Sequence, residues 1–194
     1  MDLTMNAIHV SQAEGVLMKT LDHDGYTLCV LQAQVFEYSV DQVESSSPIF
    51  IRRFMKSQIV KRLDDASILD TNLQAKDLID EVLEEYGVSC YGSTKYTRNE
   101  MYWIGYVYRY FALAYERSSS QIYRLVKPKE LREVFLPYHT MDPAQALERI
   151  LEAKGICLEQ NEEQELKRQY AIYRRIRHAE EKSVAETRTS YYCR

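Results

Sequence analysis

The sequence is poor in glycine and proline, with six glycines and four prolines among 194 residues. β-Sandwiches and barrels need many tight turns, and tight turns draw on these two residues. The composition therefore argues against such folds. No glycine-rich stretch resembles a phosphate-binding loop. No run of about 18 apolar residues is present either, so we expect no transmembrane helix and no membrane partner.

Cysteine is also scarce, and its four copies (Cys29, Cys90, Cys157 and Cys193) are far apart in the sequence. None of them pairs at the spacing of a zinc site, and the zinc-protease motif HExxH does not occur. We therefore predict no bound metal and no cofactor. The N-terminus lacks a basic region followed by an apolar run, so no signal peptide is expected. Reduced thiols then fit a cytoplasmic location.

The charges lack a dominant sign, since 25 lysines and arginines face 29 acids, for a net charge of −4. Their distribution is uneven: residues 1–46 hold seven acids and one base, whereas residues 47–70 hold five bases and three acids. Proteins that bind nucleic acid without sequence preference carry a broad basic field, which this chain lacks. Blocks of opposite sign can instead present surfaces of both signs to a protein partner.

Tyrosine is the residue in excess, with 16 copies against five phenylalanines and one tryptophan. The aromatics are densest in residues 101–116, MYWIGYVYRYFALAYE, where seven of sixteen residues are aromatic. A capping box formed by Thr97 and Glu100 precedes this run and predicts a helix start. The helix would be apolar around most of its circumference, which is typical of a central helix covered on several sides.

Arg109 lies near the middle of this aromatic helix, where an unpaired charge would cost several kcal/mol. We predict a structural ion pair with Glu116, two turns further on. Acids from residues 1–46 are alternative partners, and tyrosine hydroxyls could supplement them. A second interpretation makes Arg109 a binding arginine in a pocket of tyrosines. In a third, its side chain extends to the surface.

Apolar periodicity along the rest of the chain predicts a mainly α-helical protein, with a single domain of about seven or eight helices around the central aromatic helix. We place this domain at residues 1–157. Residues 158–194 are predicted to be a C-terminal extension, a long helix with a frayed end. The other expected elements are a turn at 22–25, helices at 27–44, 48–63 and 71–86, short helices from Ser118 and from Pro128 to Pro137, and a helix from Pro143 to Gly155.

Two alternative functions follow from residue clusters. Basic helices at 48–63 and 165–182 would suit a nucleic-acid-binding transcriptional regulator. The helix at 71–86 is acidic, however, which is wrong for the recognition helix of a helix-turn-helix. An enzyme with a Tyr/Arg/His pocket around Arg109 and His139 is the second alternative.

The run from Trp103 to Ile150 resembles a family of small bacterial proteins without assigned function. The elements that carry the resemblance are Gly105, Tyr108-Arg109-Tyr110, Tyr115-Glu116, Ser119, Lys129-Glu130-Leu131, Tyr138-His139 and Asp142-Pro143-Ala144-Gln145-Ala146. Such proteins lie beside toxins of the ADP-ribosyltransferase type in toxin–antitoxin-like or defence modules. The resemblance covers about residues 100–152. It implies an accessory or neutralising protein and assigns no catalytic residue.

These observations together predict a non-catalytic protein-binding module, an antitoxin-like neutraliser that covers the active surface of a bacterial toxin. Tyrosine and arginine are the usual anchors of protein interfaces. The oligomeric state is left open. The predicted partner-binding residues are Tyr102, Tyr106, Arg109, Tyr123, Arg174, Arg175 and Arg177.

Overall fold

Helices form all the regular secondary structure in residues 18–156, the part of the chain that the computed structural model describes. These residues belong to one compact unit, and the mainly α-helical fold class is confirmed. The predicted extension at 158–194 lies outside the described residues. The helices are α1 (His23–Gln42), α2 (Ser47–Phe54), α3 (Gln58–Asp64), a 3-10 helix (Ser67–Asp70), α4 (Ala75–Tyr86), α5 (Arg98–Ala114), α6 (Ser119–Leu125), α7 (Pro128–Glu133), α8 (Phe135–Tyr138) and α9 (Pro143–Ala153).

Helix α5 is the centre of this fold, as the aromatic sequence predicts. Ten of its 17 residues are buried. It packs most extensively on α1 and also contacts α6, α7 and α9. The hydroxyl of the buried Tyr108 donates a hydrogen bond to the carbonyl oxygen of Val126, over 2.8 Å. Tyrosine is thus used inside the core where a backbone acceptor satisfies its hydroxyl.

Gly105 sets the close approach of α5 to α1. A Cβ atom at this position would lie 2.8 Å from the carbonyl oxygen of Gln32 and 2.9 Å from the Cα of Ala33. The Phe36 ring, whose Cγ would lie 3.0 Å from such a Cβ, also meets the rings of Phe50 and Phe54 edge-on, at 5.9 and 5.1 Å between centroids. These contacts join α2 to the α1–α5 pair.

Capping residues mark several helix boundaries where the sequence places them. The side chain of Thr97 accepts a hydrogen bond from the backbone N–H of Glu100 at the start of α5. Ser118 caps α6 in the same way, and Asp142 caps α9. Gly155 follows α9 with a φ of +61°, a conformation that costs glycine little.

Two expected elements differ in the structure. The predicted turn at 22–25 is the beginning of α1, because the Asp22 carboxylate accepts a hydrogen bond from the Gly25 N–H over 2.8 Å and so caps the helix. The predicted helix at 48–63 is two helices. Ser57 separates them: its hydroxyl donates to the Phe54 carbonyl oxygen and accepts from the Val60 N–H, which starts α3.

Two other boundaries also shift. The helix expected from residue 71 begins only at Ala75, where the Asp77 carboxylate accepts from the Gln74 N–H. Pro137 does not end the helix that starts at Pro128. That helix ends at Glu133, and Pro137 lies inside α8. Between residues 18 and 156 we find no helix that is both long enough and apolar enough to cross a membrane.

Candidate functional site

Arg109, the charged residue of the aromatic helix, is completely buried. Its guanidinium bonds three side chains. Nη1 donates to Asp64 Oδ1 over 2.7 Å, Nε to Gln32 Oε1 over 2.9 Å and Nη2 to Ser119 Oγ over 3.0 Å. Burial lowers the pKa of Arg109, and the Asp64 carboxylate opposes that shift. The ion pair with Asp64 therefore stabilises the charged form of Arg109 inside the core.

The partners of Arg109 also bond to one another. The Ser119 hydroxyl donates to Asp64 Oδ1 over 2.6 Å, and the Ser119 N–H donates to Asp64 Oδ2 over 3.0 Å. The Gln32 amide donates to the Gly105 carbonyl oxygen over 3.1 Å. This network ties α1, the end of α3, α5 and the start of α6 together. Its role is structural.

The predicted ion pair between Arg109 and Glu116 is wrong, because Arg109 pairs with Asp64. Glu116 follows the last turn of α5 with a φ of +49°, and its carboxylate bonds Lys19 Nζ over 2.9 Å at the surface. The predicted role of Arg109 as a partner-binding residue is wrong as well, because a fully buried guanidinium offers no surface to a partner.

A groove of about 600 Å³ lies along α5, and we call it the aromatic groove. Helices α1, α5 and α8 and the start of α9 form its walls. The volume is in the range of small-molecule and peptide side-chain pockets. The lining residues are Glu37, Asn99, Tyr102, Trp103, Tyr106, Phe135, His139, Met141 and Pro143.

Aromatic rings in contact build most of this groove. Trp103 meets Phe135 edge-on at 5.7 Å, and Phe135 stacks on His139 at 4.8 Å between centroids. Tyr106 stacks along α5 with Tyr110 at 6.4 Å. Leu136, adjacent to the lining residue Phe135, is 78% exposed. The groove thus presents an apolar surface of the kind that binds partners.

The tyrosine hydroxyls and the Trp103 N–H are joined by three further polar side chains in the lining: Glu37, Asn99 and His139. His139 Nδ1 lies 3.1 and 3.0 Å from the carbonyl oxygens of Phe135 and Leu136. Carbonyl oxygens only accept hydrogen bonds, so Nδ1 carries a hydrogen and Nε2 is left for other contacts. Burial, reinforced by Cys29 and nearby tyrosines, raises the pKa of Tyr106 to about 12. Its hydroxyl is therefore a hydrogen-bond donor at neutral pH.

We expect alkaline unfolding that depends on three tyrosines of this region. Burial raises the pKa values of Tyr106, Tyr110 and Tyr115 to about 12, from an ordinary value of 10.0. Above pH 10 the unfolded chain releases these protons while the folded chain keeps them. Their stabilising contribution is therefore complete below pH 10 and is lost as the pH rises towards 12. Far-UV circular dichroism and phenolate absorbance, followed across this interval, measure the effect.

Replacing Tyr106, Tyr110 and Tyr115 together by phenylalanine should move the alkaline transition to higher pH. Tyr91→Phe, on an exposed loop, is the control for loss of a phenol elsewhere. An unchanged transition in the triple variant would contradict the assignment.

The predicted partner-binding residues are divided among different places. Tyr102 and Tyr106 line the aromatic groove. Tyr123 is half-buried on α6, where Lys127 Nζ lies 4.5 Å from its ring centre. Arg174, Arg175 and Arg177 lie outside the described residues. Glu37, Trp103 and Phe135 were not predicted as partner-binding residues; the one available clue was that Trp103 lies beside Tyr102 on α5.

The structure also places the residues behind the two alternative functions, the enzyme and the nucleic-acid-binding regulator. The pocket predicted for an enzyme does not contain Arg109, whose guanidinium bonds Asp64; His139 lines the aromatic groove with Tyr102 and Tyr106. The basic helix at 48–63 is interrupted, and two of its arginines are engaged with the α4 region. Arg53 donates to the Gly87 carbonyl oxygen over 2.8 Å, and Arg62 pairs with Glu81. The second basic helix, at 165–182, lies outside the described residues.

No cluster of three or more metal-binding side chains is found within residues 18–156. The aromatic groove offers a ligand an apolar surface, ring faces and one carboxylate. Comparison of the chain with known protein families, curated proteins and solved structures finds no match.

Proposed function

We propose that this chain is a non-catalytic protein-binding module whose partner docks in the aromatic groove. The observation that supports this most strongly is the composition of the groove, which combines tryptophan, two tyrosines, phenylalanine and methionine. These are the residue types enriched at the centres of protein interfaces. An exposed leucine, Leu136, follows the lining residue Phe135 in the sequence.

The groove is suited to binding because most of its wall is held in place before a partner arrives. Tyr102, Trp103 and Tyr106 project from α5, the most deeply packed helix among residues 18–156. The Phe135 ring contacts the rings of both Trp103 and His139, which helps to hold it in place. A preformed wall loses little conformational entropy when it binds, which favours affinity.

The segment that resembles toxin-associated proteins also supplies most of the groove. Seven of its nine lining residues fall within 100–152; Glu37 and Asn99 are the exceptions. We therefore propose further that the partner is a toxin and that docking neutralises the toxin by covering its active surface. In that proposal the aromatic groove is the inhibitory surface.

Site-specific photo-crosslinking tests the binding module. A photo-reactive amino acid at position 136, an exposed site that follows the lining residue Phe135, should capture a partner that mass spectrometry can identify. The same amino acid at position 88, where Val88 is 77% exposed on a loop outside the groove, is the matched control. Equal capture at both positions, or none at position 136, would overturn the groove as the docking site.

The purified partner then allows a quantitative test. Tyr106→Ala should weaken binding by about 30-fold or more, the effect of losing an interface hot spot. Tyr91→Ala, at a tyrosine 74% exposed on the loop before α5, should change affinity less than about threefold. Equal losses in the two variants would count against the groove.

Bacterial growth tests the proposal that the partner is a toxin. The captured partner, expressed alone, should arrest bacterial growth, and co-expression of this chain should restore growth. Co-expression of the Tyr106→Ala variant should not. A partner that leaves growth unaffected would remove the toxin assignment but not the binding module.

A further inference from the structure

The aromatic groove carries a negative charge that no lysine or arginine of its lining balances. Its nine lining residues include one carboxylate, Glu37 of α1, and neither lysine nor arginine. Glu37 is half-buried, and none of the ion pairs formed within residues 18–156 involves it. A partly desolvated carboxylate beside aromatic rings favours a positive counter-charge.

The cations nearest in sequence to the groove residues are engaged elsewhere. Arg98 pairs with Asp41. Arg132 Nε donates to Glu100 over 2.9 Å, and its guanidinium lies 4.5 Å from the ring centre of Tyr96. Arg109, on the same helix as the groove tyrosines, is held by Asp64 inside the core. None of these three arginines therefore neutralises Glu37, and a cation from a partner can do so.

The rings that line the groove together with Glu37 add a second attraction for a cation. The face of an aromatic ring is negative, and tryptophan gives the strongest cation–π contact, followed by tyrosine and phenylalanine. The groove holds all three types: Trp103, Tyr102, Tyr106 and Phe135. An anionic ligand would meet ring faces and a carboxylate, both of which repel it.

Resting on the proposed function, we infer that the partner segment in the aromatic groove presents an arginine or lysine side chain to Glu37 while its apolar residues contact the rings. Arginine fits best, because its planar guanidinium can stack on a ring and donate two hydrogen bonds to one carboxylate. The partner is thus a protein with a segment that is both basic and apolar. Nucleic acid is not favoured, since its phosphates would approach the Glu37 carboxylate.

Short peptides test this inference without knowledge of the partner. The probes are acetyl-Gly-Arg-Leu-Arg-Gly-amide, its lysine counterpart and its glutamate counterpart. Trp103 is the sole tryptophan of the chain and lines the groove. Its fluorescence therefore reports groove occupancy directly, since the probes contain no aromatic residue. The full-length chain is used throughout.

We expect the arginine peptide to change Trp103 emission saturably, with half-saturation near about 1 mM at low ionic strength. The lysine peptide should bind more weakly, and the glutamate peptide should leave the emission unchanged. Glu37→Gln should weaken the arginine peptide about fivefold or more, the effect of losing a charge-assisted contact beside ring faces. Glu84→Gln, at an exposed position on α4, removes the same charge away from the groove and is the matched control.

Three results would overturn the inference: an equal response to the glutamate peptide, no response to the arginine peptide at about 10 mM, or an equal effect of the two Glu→Gln variants. Circular dichroism checks that the variants are folded, and the comparison of peptides on the unmodified chain does not depend on them. Crosslinking at position 136 could capture a partner while the arginine peptide has no effect. That result would support the protein-binding function and contradict the inferred basic side chain at Glu37. If the arginine peptide binds but no partner is captured, the proposed protein-binding function is removed.

Discussion

Asp64→Ala is expected to lower the free energy of unfolding by about 3–5 kcal/mol, because it leaves the buried guanidinium of Arg109 without a counter-charge. The Arg109 side chain has no exposed surface and that of Asp64 is 19% exposed, so the ion pair is largely shielded from water. The substitution also removes the acceptor of the Ser119 hydroxyl and N–H. Urea unfolding followed by far-UV circular dichroism measures the loss.

Glu116→Ala is the matched control, since it removes the carboxylate that sequence proximity predicts as the partner of Arg109. Its actual partner is Lys19, and both side chains are more than half exposed. Surface pairs of this kind contribute up to about 1 kcal/mol. A loss for Glu116→Ala as large as that for Asp64→Ala would contradict the structural assignment.

A double variant separates the two parts of the Asp64 effect. Arg109→Met combined with Asp64→Ala removes the buried charge together with its partner. Since replacing a whole buried pair with apolar groups is often neutral, the double variant should be more stable than Asp64→Ala alone. Additive losses would show that the network contributes by packing and not through the ion pair.

Gly105→Ala is the second large effect, with an expected loss of about 1–3 kcal/mol in the free energy of unfolding. Two influences oppose each other at this position. Alanine favours a helix over glycine by about 1 kcal/mol. The new Cβ, however, would lie 2.8 Å from the Gln32 carbonyl oxygen and 2.9 Å from the Ala33 Cα. These are backbone atoms of α1, so the contact is relieved only if the two helices separate.

Urea unfolding gives the sign of the Gly105 effect. Gly155→Ala is the contrasting variant, because no atom lies within 4 Å of its added Cβ and the only cost is its φ of +61°. That cost should be about 1–2 kcal/mol. A stability gain in Gly105→Ala would mean that helix propensity outweighs packing and that α1 and α5 can move apart easily.

The sequence predicted much of the fold because the boundaries concerned are local. The capping box at Thr97 and Glu100 starts α5, and the Asp142-Pro143 pair starts α9. Each cap acts over three or four residues, so adjacent side chains suffice to place it. The aromatic content of residues 101–116 likewise identified the central helix, because a helix that is apolar on most sides is stable only when it is covered.

The sequence predicted the candidate site only in part. Tyr102 and Tyr106 were assigned to partner binding and do line the groove. Glu37 and Phe135 were not assigned, since they lie 65 residues before and 33 residues after Tyr102 and no local pattern links them. The break at Ser57 was also missed, because the apolar stripe of Ile51, Phe54 and Ile59 continues on both sides of it.

By itself, the sequence determined that the chain is helical, which helix is central and where several helices begin, since these depend on residues within one or two turns of each other. Tertiary structure alone decided that Arg109 pairs with Asp64, 45 residues away in the sequence, and not with the nearby Glu116. It also decided that α1, α5 and α8 combine a carboxylate with aromatic rings in one groove. The physical reason is that burial selects ion partners and pocket walls by distance in space, and that distance depends on how the helices pack.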